Sequence, residues 1–151
     1  MTTAAYRLPR PARRFLRFDP TARRWLLAWL GGPVIGIANG VTRELVYADR
    51  VGDLTAHQIS TAVAVALFAL YFALLERRWP LPTFRTAFLV GAAWLVLTVA
   101  FEFAFGHWGD GKAWGELLAD YNVFRGHLWP LVLAWLAVGP AVVRWARIRG
   151  S

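Results

Sequence analysis

Long apolar runs alternate with short polar segments along the whole chain. Four runs, 25–42, 54–75, 86–101 and 126–143, contain no Asp, Glu, Lys or Arg. Uncharged apolar runs of this length are typical of transmembrane helices. The pattern therefore predicts an all-α integral membrane protein, a four-helix antiparallel transmembrane bundle over residues 25–145.

The third run is too short to cross a bilayer by itself. At about 1.5 Å per residue, run 86–101 extends over roughly 24 Å, whereas the hydrocarbon core is about 30 Å thick. Its helix must therefore continue through Glu102, which places a carboxylate inside the membrane or at its edge. Arg43 and Glu44 extend the first run in the same way, and segment 120–125 precedes the fourth.

Composition excludes an ordinary soluble domain. The chain is 58% hydrophobic and 17% charged, with a mean hydropathy of +0.42, where soluble domains average about 45–50% apolar and about 25% charged residues. The net charge of +8 would by itself suggest nucleic acid, but the basic residues lie beside the apolar runs, so no nucleic-acid partner is expected. The absence of cysteine excludes disulfides and thiolate metal sites.

Basic residues are unevenly divided between the two sides. Seven arginines precede the first run, three lie between the second and third, and three follow the fourth; the other side holds Arg43, Arg50, Lys112 and Arg125. Cytoplasmic loops carry the excess of Lys and Arg, so both termini are predicted to be cytoplasmic. A cleaved signal peptide is a weaker alternative, because three more runs follow the first.

Two basic segments flank the predicted bundle. Residues 1–24 form an arm in which aromatic residues and arginines are interspersed, a pattern that predicts contact with anionic lipid; a disordered tail is the alternative. Residues 146–151 form a basic tail. Asp19 followed by Pro20 predicts the start of a helix, with a capping side chain and a proline in the first turn.

Small residues and prolines predict how the helices meet. Gly32, Gly36 and Gly40 recur every four residues, giving a smooth face that another helix approaches closely, either within one chain or in a homo-oligomer. Pro80 and Pro82 lie in the short segment between the second and third runs. This segment predicts a tight antiparallel hairpin of those two spans.

Polar residues concentrate at the predicted outer ends of the spans. Glu102 is flanked by Phe101 and Phe103, and a carboxylate in that setting is expected either to pair with Arg43 or Arg125 or to keep its proton. The residues predicted to form an outward-facing, solute-binding pocket are Asn39, Arg43, Glu44, His57, Gln58, Glu102, His107, Asn122 and Arg125.

Three function classes fit this pocket. The leading hypothesis is the binding of a small polar or anionic solute, with Arg43 and Arg125 contacting the anion, Glu102 carrying a proton, and transport as an extension of binding. The second is an outer-leaflet enzyme acting on a lipid or quinone, with Glu102 and a histidine as acid and base, although no nucleophile motif supports it. The third is a non-catalytic assembly partner whose polar cluster locks the bundle.

The histidines raise a cofactor alternative. His57, His107 and His127 all map to the predicted outer side, where they are candidate ligands of a metal ion or a haem iron. No ligand-spaced motif such as HExxH accompanies them. The sequence therefore leaves the cofactor unknown.

Four segments carry a resemblance to known proteins: NGVTRE from Asn39, AHQIST from Ala56, FEFAFGH from Phe101 and DYNVFRGHLWPLVL from Asp120. Together they resemble a family of small four-helix bacterial inner-membrane proteins, over the region from about Gly31 to Pro140. The resemblance implies a four-helix membrane fold and implies no activity.

Overall fold

Four helical segments are long and apolar enough to cross a membrane. A computed structural model of the chain describes residues 19–119, 121–122 and 126–150. All regular structure in those ranges is helical, and the four segments are Pro20–Val51, Asp53–Arg78, Phe84–Gly109 and Trp129–Arg149. The prediction of four long apolar helices in an all-helical fold is therefore confirmed for the described residues. The arm up to residue 18 lies outside the described residues.

The first segment is interrupted, whereas the others are nearly continuous. It consists of α1 (Pro20–Ala28), α2 (Gly31–Thr42), a π-helical turn (Arg43–Tyr47) and α3 (Ala48–Val51). The remaining elements are α4 (Asp53–Arg78), α5 (Phe84–Ala104) followed by a second π-helical turn (Phe105–Gly109), the short α6 (Trp114–Ala119), and α7 (Trp129–Arg149).

Side-chain caps and one glycine set several helix ends. The Asp19 carboxylate accepts a hydrogen bond from the Thr21 N–H at 2.7 Å, and Pro20 is the first residue of α1, which confirms the predicted helix start. The Thr83 hydroxyl likewise accepts from the Thr86 N–H at 3.0 Å at the start of α5. Gly52 alone separates α3 from α4, and its φ of 80° lies in the left-handed region that favours glycine.

The third span extends as predicted, and the fourth does not. Helix α5 continues through Glu102 to Ala104 before the π-helical turn begins. Helix α7 begins at Trp129 and not at the predicted Gly126. The φ of Gly126 is 84°, which is incompatible with a right-handed helix at that residue. It is nevertheless long enough to cross a bilayer, because it continues to Arg149 and its 21 residues extend over about 32 Å.

The order of the helices around the bundle differs from the prediction. Helix α7 packs against both α4 and α5, while α2 packs against α4 and α1 packs against α5. Helices α4 and α5 therefore lie at opposite corners, and the predicted tight hairpin between them is wrong. Large side chains fill the space between them: the rings of Phe72 and Trp94 meet across the core, with centroids 5.0 Å apart.

Helices α5 and α7 approach each other closely at Gly91. A Cβ added there would overlap the backbone carbonyl of Ala137 and would lie 3.2 Å from that of Leu136. Pro140 has no N–H to donate to the Leu136 carbonyl, so that carbonyl lacks its usual helical donor at this contact. Only a residue without a side chain allows the backbones to approach this closely.

Bulky side chains fill one half of the bundle. Trp25, Phe72, Leu81 and Trp94 are completely buried. The Trp25 indole N–H donates to the Trp79 carbonyl at 2.9 Å, and the Trp94 indole N–H donates to the Trp25 carbonyl at 3.0 Å. These bonds satisfy polar atoms that would otherwise be costly in an apolar core.

The two ends of the bundle differ in charge. One end, called here the arginine end, brings together the start of α1, the loop after α4 and the last turns of α7. Its arginines are Arg23, Arg24, Arg77, Arg78, Arg85, Arg144, Arg147 and Arg149. The opposite end, called here the cavity end, carries Arg43, Arg50 and Lys112 among the described residues.

A buried carboxylate holds the arginine end together. Glu76 is only 2% exposed; it accepts a hydrogen bond from the Leu81 N–H at 2.9 Å and lies 3.4 Å from Nη1 of Arg147 and 3.9 Å from Nη1 of Arg144. Arg144 also donates to the carbonyls of Leu81 and Pro82. Glu76, near the end of α4, therefore ties the loop after α4 to α7.

The contact at Gly91 predicts a strong effect of a single methyl group. We expect Gly91→Ala to lower the free energy of unfolding by roughly 1–3 kcal/mol, because the added atom must push α5 away from α7. Unfolding of the purified protein in mixed micelles measures the effect.

Gly40→Ala is the matched control, because a Cβ at Gly40 has no atom within 4 Å. Equal stability of the two variants would show that α5 and α7 are not in the close contact described.

Candidate functional site

Three neighbouring cavities occupy the half of the bundle toward the cavity end. The histidine cavity, about 660 Å³, is lined by Arg43, Glu44, Asp53, His57 and His127 with three apolar residues. The glutamate cavity, about 230 Å³, shares His57 and adds Glu102 with several aromatic residues. The apolar cavity, about 200 Å³, shares Glu102 with the glutamate cavity and is otherwise lined mainly by apolar side chains.

Glu102 lies between two of these cavities in an aromatic setting. Its Oε2 accepts hydrogen bonds from the Tyr121 hydroxyl at 2.7 Å and from the Trp129 indole N–H at 3.0 Å. Phe101 and Phe103, its neighbours along α5, also line the glutamate cavity. The two donors come from the segment before α7 and from its first residue, so they hold the carboxylate toward the bundle interior.

Arg43 interacts with its own neighbours and not with Glu102. Its guanidinium donates twice to Glu44 Oε1, from Nε at 2.9 Å and from Nη2 at 2.6 Å. Its Nη1 lies 3.2 Å from Nδ1 of His57. The predicted pairing of Arg43 with Glu102 is therefore not formed, because Arg43 sits in the π-helical turn after α2 and faces the histidine cavity.

Two of the three histidines meet. The rings of His57 and His127 are 5.6 Å apart in an edge-to-face arrangement, and both line the histidine cavity. Nδ1 of His127 is buried and has no hydrogen-bond partner among the described residues. Buried polar atoms normally have a partner, which makes this side of the histidine cavity suitable for a polar ligand.

His107 is held away from the other two histidines. Its ring stacks on Trp114 at 4.1 Å, and its Nδ1 lies 2.9 Å from the Lys112 carbonyl, in the segment beyond α5. The predicted convergence of three histidines is thus correct for one pair. In the part of the chain that the structure describes, no group of three or more His, Asp or Glu side chains is arranged to hold a metal ion.

Asn39 is a packing residue, contrary to its predicted place in the pocket. It is 8% exposed, and its Nδ2 donates to the Ser60 carbonyl at 2.9 Å and to the Ser60 hydroxyl at 2.8 Å. Both amide hydrogens are therefore used to join α2 to α4. Gln58 has a similar role, because its Nε2 donates to the Gly126 carbonyl at 3.4 Å.

Of the remaining predicted pocket residues, the structure describes Asn122 and Glu44 but not Arg125. Asn122 is half-buried, and its backbone N–H donates to the Ala119 carbonyl at 3.1 Å. Arg125 and Asp120 lie outside the described residues. Glu44 is largely exposed at the rim of the histidine cavity.

The glycine stripe of α2 faces open space for most of its length. A Cβ at Gly32 would contact Phe68 at 3.6 Å, whereas a Cβ at Gly36 or Gly40 would have no atom within 4 Å. Gly32 and Gly36 line the apolar cavity, and Gly40 does not. Within the chain, the stripe therefore leaves room beside α2 and does not form a close helix contact.

Several residues that line the cavities are not among the residues predicted from the sequence. Tyr121 and Trp129 both donate hydrogen bonds to Glu102, although neither is among the residues predicted to form the pocket. Asp53, Asp110 and Lys112 line the cavities without having been selected. For Asp53, Asp110, Lys112 and Tyr121, the signal that could have found them is their position outside the apolar runs, at the same predicted end as Glu102.

Both π-helical turns lie at this end of the bundle. One begins at Arg43 and the other directly follows the helix that carries Glu102. π-Helical turns are rare and occur frequently at functional sites, because they shift side chains out of the regular helical register. Their positions agree with a functional role for the cavity end.

Comparison with known proteins adds no assignment: no protein family, curated protein or solved structure matches this chain. The resemblance of its four polar segments to small bacterial inner-membrane proteins therefore stays a prediction.

The geometry of Asn39 predicts a structural effect of its removal. We expect Asn39→Ala to lower the free energy of unfolding by about 1 kcal/mol, because hydrogen bonds between membrane helices contribute that much. A double-mutant cycle with Ser60→Ala, measured by unfolding in mixed micelles, tests the pairing. An unfolding free energy unchanged by Asn39→Ala would contradict the assignment.

Proposed function

We propose that the protein binds a small polar solute at its cavity end, and that Glu102 exchanges a proton as the solute binds. The observation that carries the proposal is the position of Glu102, which faces two cavities and is held by Tyr121 and Trp129. An ionisable side chain inside a membrane is costly and usually serves a function.

Access to Glu102 is available from one end of the bundle. The histidine and glutamate cavities share His57, so a solute that enters beside Arg43 and Glu44 comes close to the cavity that holds Glu102. Toward the arginine end, the buried side chains of Trp25, Phe72 and Trp94 fill the interior. We therefore propose binding from one face; translocation would require these aromatic side chains to separate.

The charges around the cavities indicate which charge the solute carries. Among the residues that the structure describes, the histidine and glutamate cavities are lined by the cations Arg43 and Lys112 and by the carboxylates Glu44, Asp53, Glu102 and Asp110. Arg43 is moreover paired with Glu44. This balance favours a neutral or cationic solute over the anionic one that the sequence suggested.

The distribution of arginines supports a membrane placement. The arginine end holds eight of the described basic residues, and the cavity end holds Arg43, Arg50 and Lys112. Because cytoplasmic segments carry the excess of Lys and Arg, we propose a bacterial inner-membrane protein with both termini cytoplasmic and the cavities facing the periplasm.

Single cysteines test this orientation, because the chain contains none of its own. In intact spheroplasts, a membrane-impermeant maleimide is expected to label Ala113→Cys in the loop before α6. It should label Gly150→Cys, after α7, only once the membrane is permeabilised. The reverse labelling pattern would contradict the proposed orientation.

Thermal unfolding in a panel of solutes tests the binding proposal. The panel contains glycine, choline, tetramethylammonium, acetate and phosphate, each added to the purified full chain in neutral detergent. We expect at least one solute to raise the unfolding temperature of the wild type, and Glu102→Gln to remove most of that rise, because the exchangeable proton and the charge are lost.

Glu116→Gln is the matched control, since Glu116 is an exposed residue of α6 and lines none of the three cavities. The proposal fails if no solute stabilises the wild type, or if Glu102→Gln and Glu116→Gln respond alike.

A further inference from the structure

We propose that the ligand is an amphipathic organic cation, whose ammonium group lies beside Glu102 and whose apolar part occupies the apolar cavity. This inference rests on the proposed function and specifies its ligand. It depends on the fact that the glutamate cavity and the apolar cavity share one wall, formed by Phe101, Glu102 and Trp129. A ligand with one polar and one apolar part fits a site built in this way.

The glutamate cavity has the composition of a site for an organic ammonium ion. Phe101, Phe103, Tyr121 and Trp129 line it together with the Glu102 carboxylate. Aromatic faces attract quaternary ammonium groups through the quadrupole of the ring, and this attraction is stronger where water is excluded. A nearby carboxylate adds charge attraction, and the hydrogen bonds from Tyr121 and Trp129 orient it.

The apolar cavity suits a short alkyl or aryl group. It lies between α2, α4, α5 and α7, with Gly36 on one side and Phe68 and Leu136 on the other. It exists because a glycine stands where a larger residue would fill the space: a Cβ at Gly36 would have no atom within 4 Å. Ile37 also lines the apolar cavity, and it is 54% exposed on the outer surface of the bundle.

Charge argues against an anionic amphiphile in the same site. The charged residues described in the glutamate cavity are Glu102, Asp110 and Lys112, so carboxylates outnumber cations there. A fatty-acid carboxylate would be placed beside Glu102 and repelled, whereas an ammonium group would be attracted. The structure therefore distinguishes two amphiphiles of similar size by the sign of their charge.

Three soluble probes separate the parts of this proposal: hexyltrimethylammonium, tetramethylammonium and hexanoate. Binding is measured by calorimetry on the full chain in phosphatidylcholine nanodiscs. We expect hexyltrimethylammonium to bind about tenfold more tightly than tetramethylammonium, because its chain enters the apolar cavity. Hexanoate should not displace it.

Two leucine substitutions on α2 form a matched pair. Gly36→Leu is expected to fill the apolar cavity and to weaken binding of hexyltrimethylammonium about tenfold, with tetramethylammonium unchanged. Gly40→Leu should leave both affinities unchanged, because Gly40 has equal space around it but does not line the cavity. Glu102→Gln should weaken both cations.

The outcomes distinguish this inference from the proposed function. Absence of binding by both cations, equal affinity for hexanoate, or equal behaviour of the Gly36→Leu and Gly40→Leu variants would overturn the ligand class. The thermal-unfolding panel with Glu102→Gln would still test independently whether Glu102 takes part in solute binding. If Glu102→Gln changed neither the panel nor the probes, the proposed function itself would fail.

Discussion

The packing of Trp25, Phe72 and Trp94 determines where this bundle has space for a ligand. These three side chains are completely buried, and the two indoles also donate hydrogen bonds to backbone carbonyls, which fixes their orientation. Together they fill the interior of the bundle toward the arginine end. Toward the other end, smaller residues of α2 and the π-helical turns leave three cavities open.

Helices α5 and α7 approach each other closely in this unevenly filled bundle. At Gly91 the two backbones meet without an intervening side chain. Because α7 also packs against α4, it lies between α4 and α5. The same placement brings Trp129, at the start of α7, to within 3.0 Å of the carboxylate of Glu102 on α5. A contact in the apolar core thus contributes to the position of the polar site.

Polar side chains in this protein divide into two groups. Asn39 and Glu76 are almost fully buried and use their hydrogen-bonding groups on neighbouring helices or loops. Glu102 and His57 are less buried and line cavities. The distinction matters because a buried, paired group restricts the arrangement of the helices, whereas a group at a cavity wall can also contact a ligand.

The sequence by itself determined the number of spans, their approximate limits and the end at which the polar residues lie. Apolar run length and arginine distribution are local properties that a bilayer imposes on any spanning helix. The continuation of the third helix through Glu102 also followed from length, because the third run alone is too short to cross a bilayer.

Only the tertiary structure decided which polar residues share a cavity. Arg43 faces His57 and not Glu102, Asn39 pairs with Ser60, and His107 stacks on Trp114. These outcomes depend on helix rotation and on which helices are neighbours, and an apolar run in a membrane carries little information about either. Where nearly every side chain of a helix is apolar, the packing of large and small residues sets the rotation of that helix about its axis. This packing is defined only when all four helices are assembled.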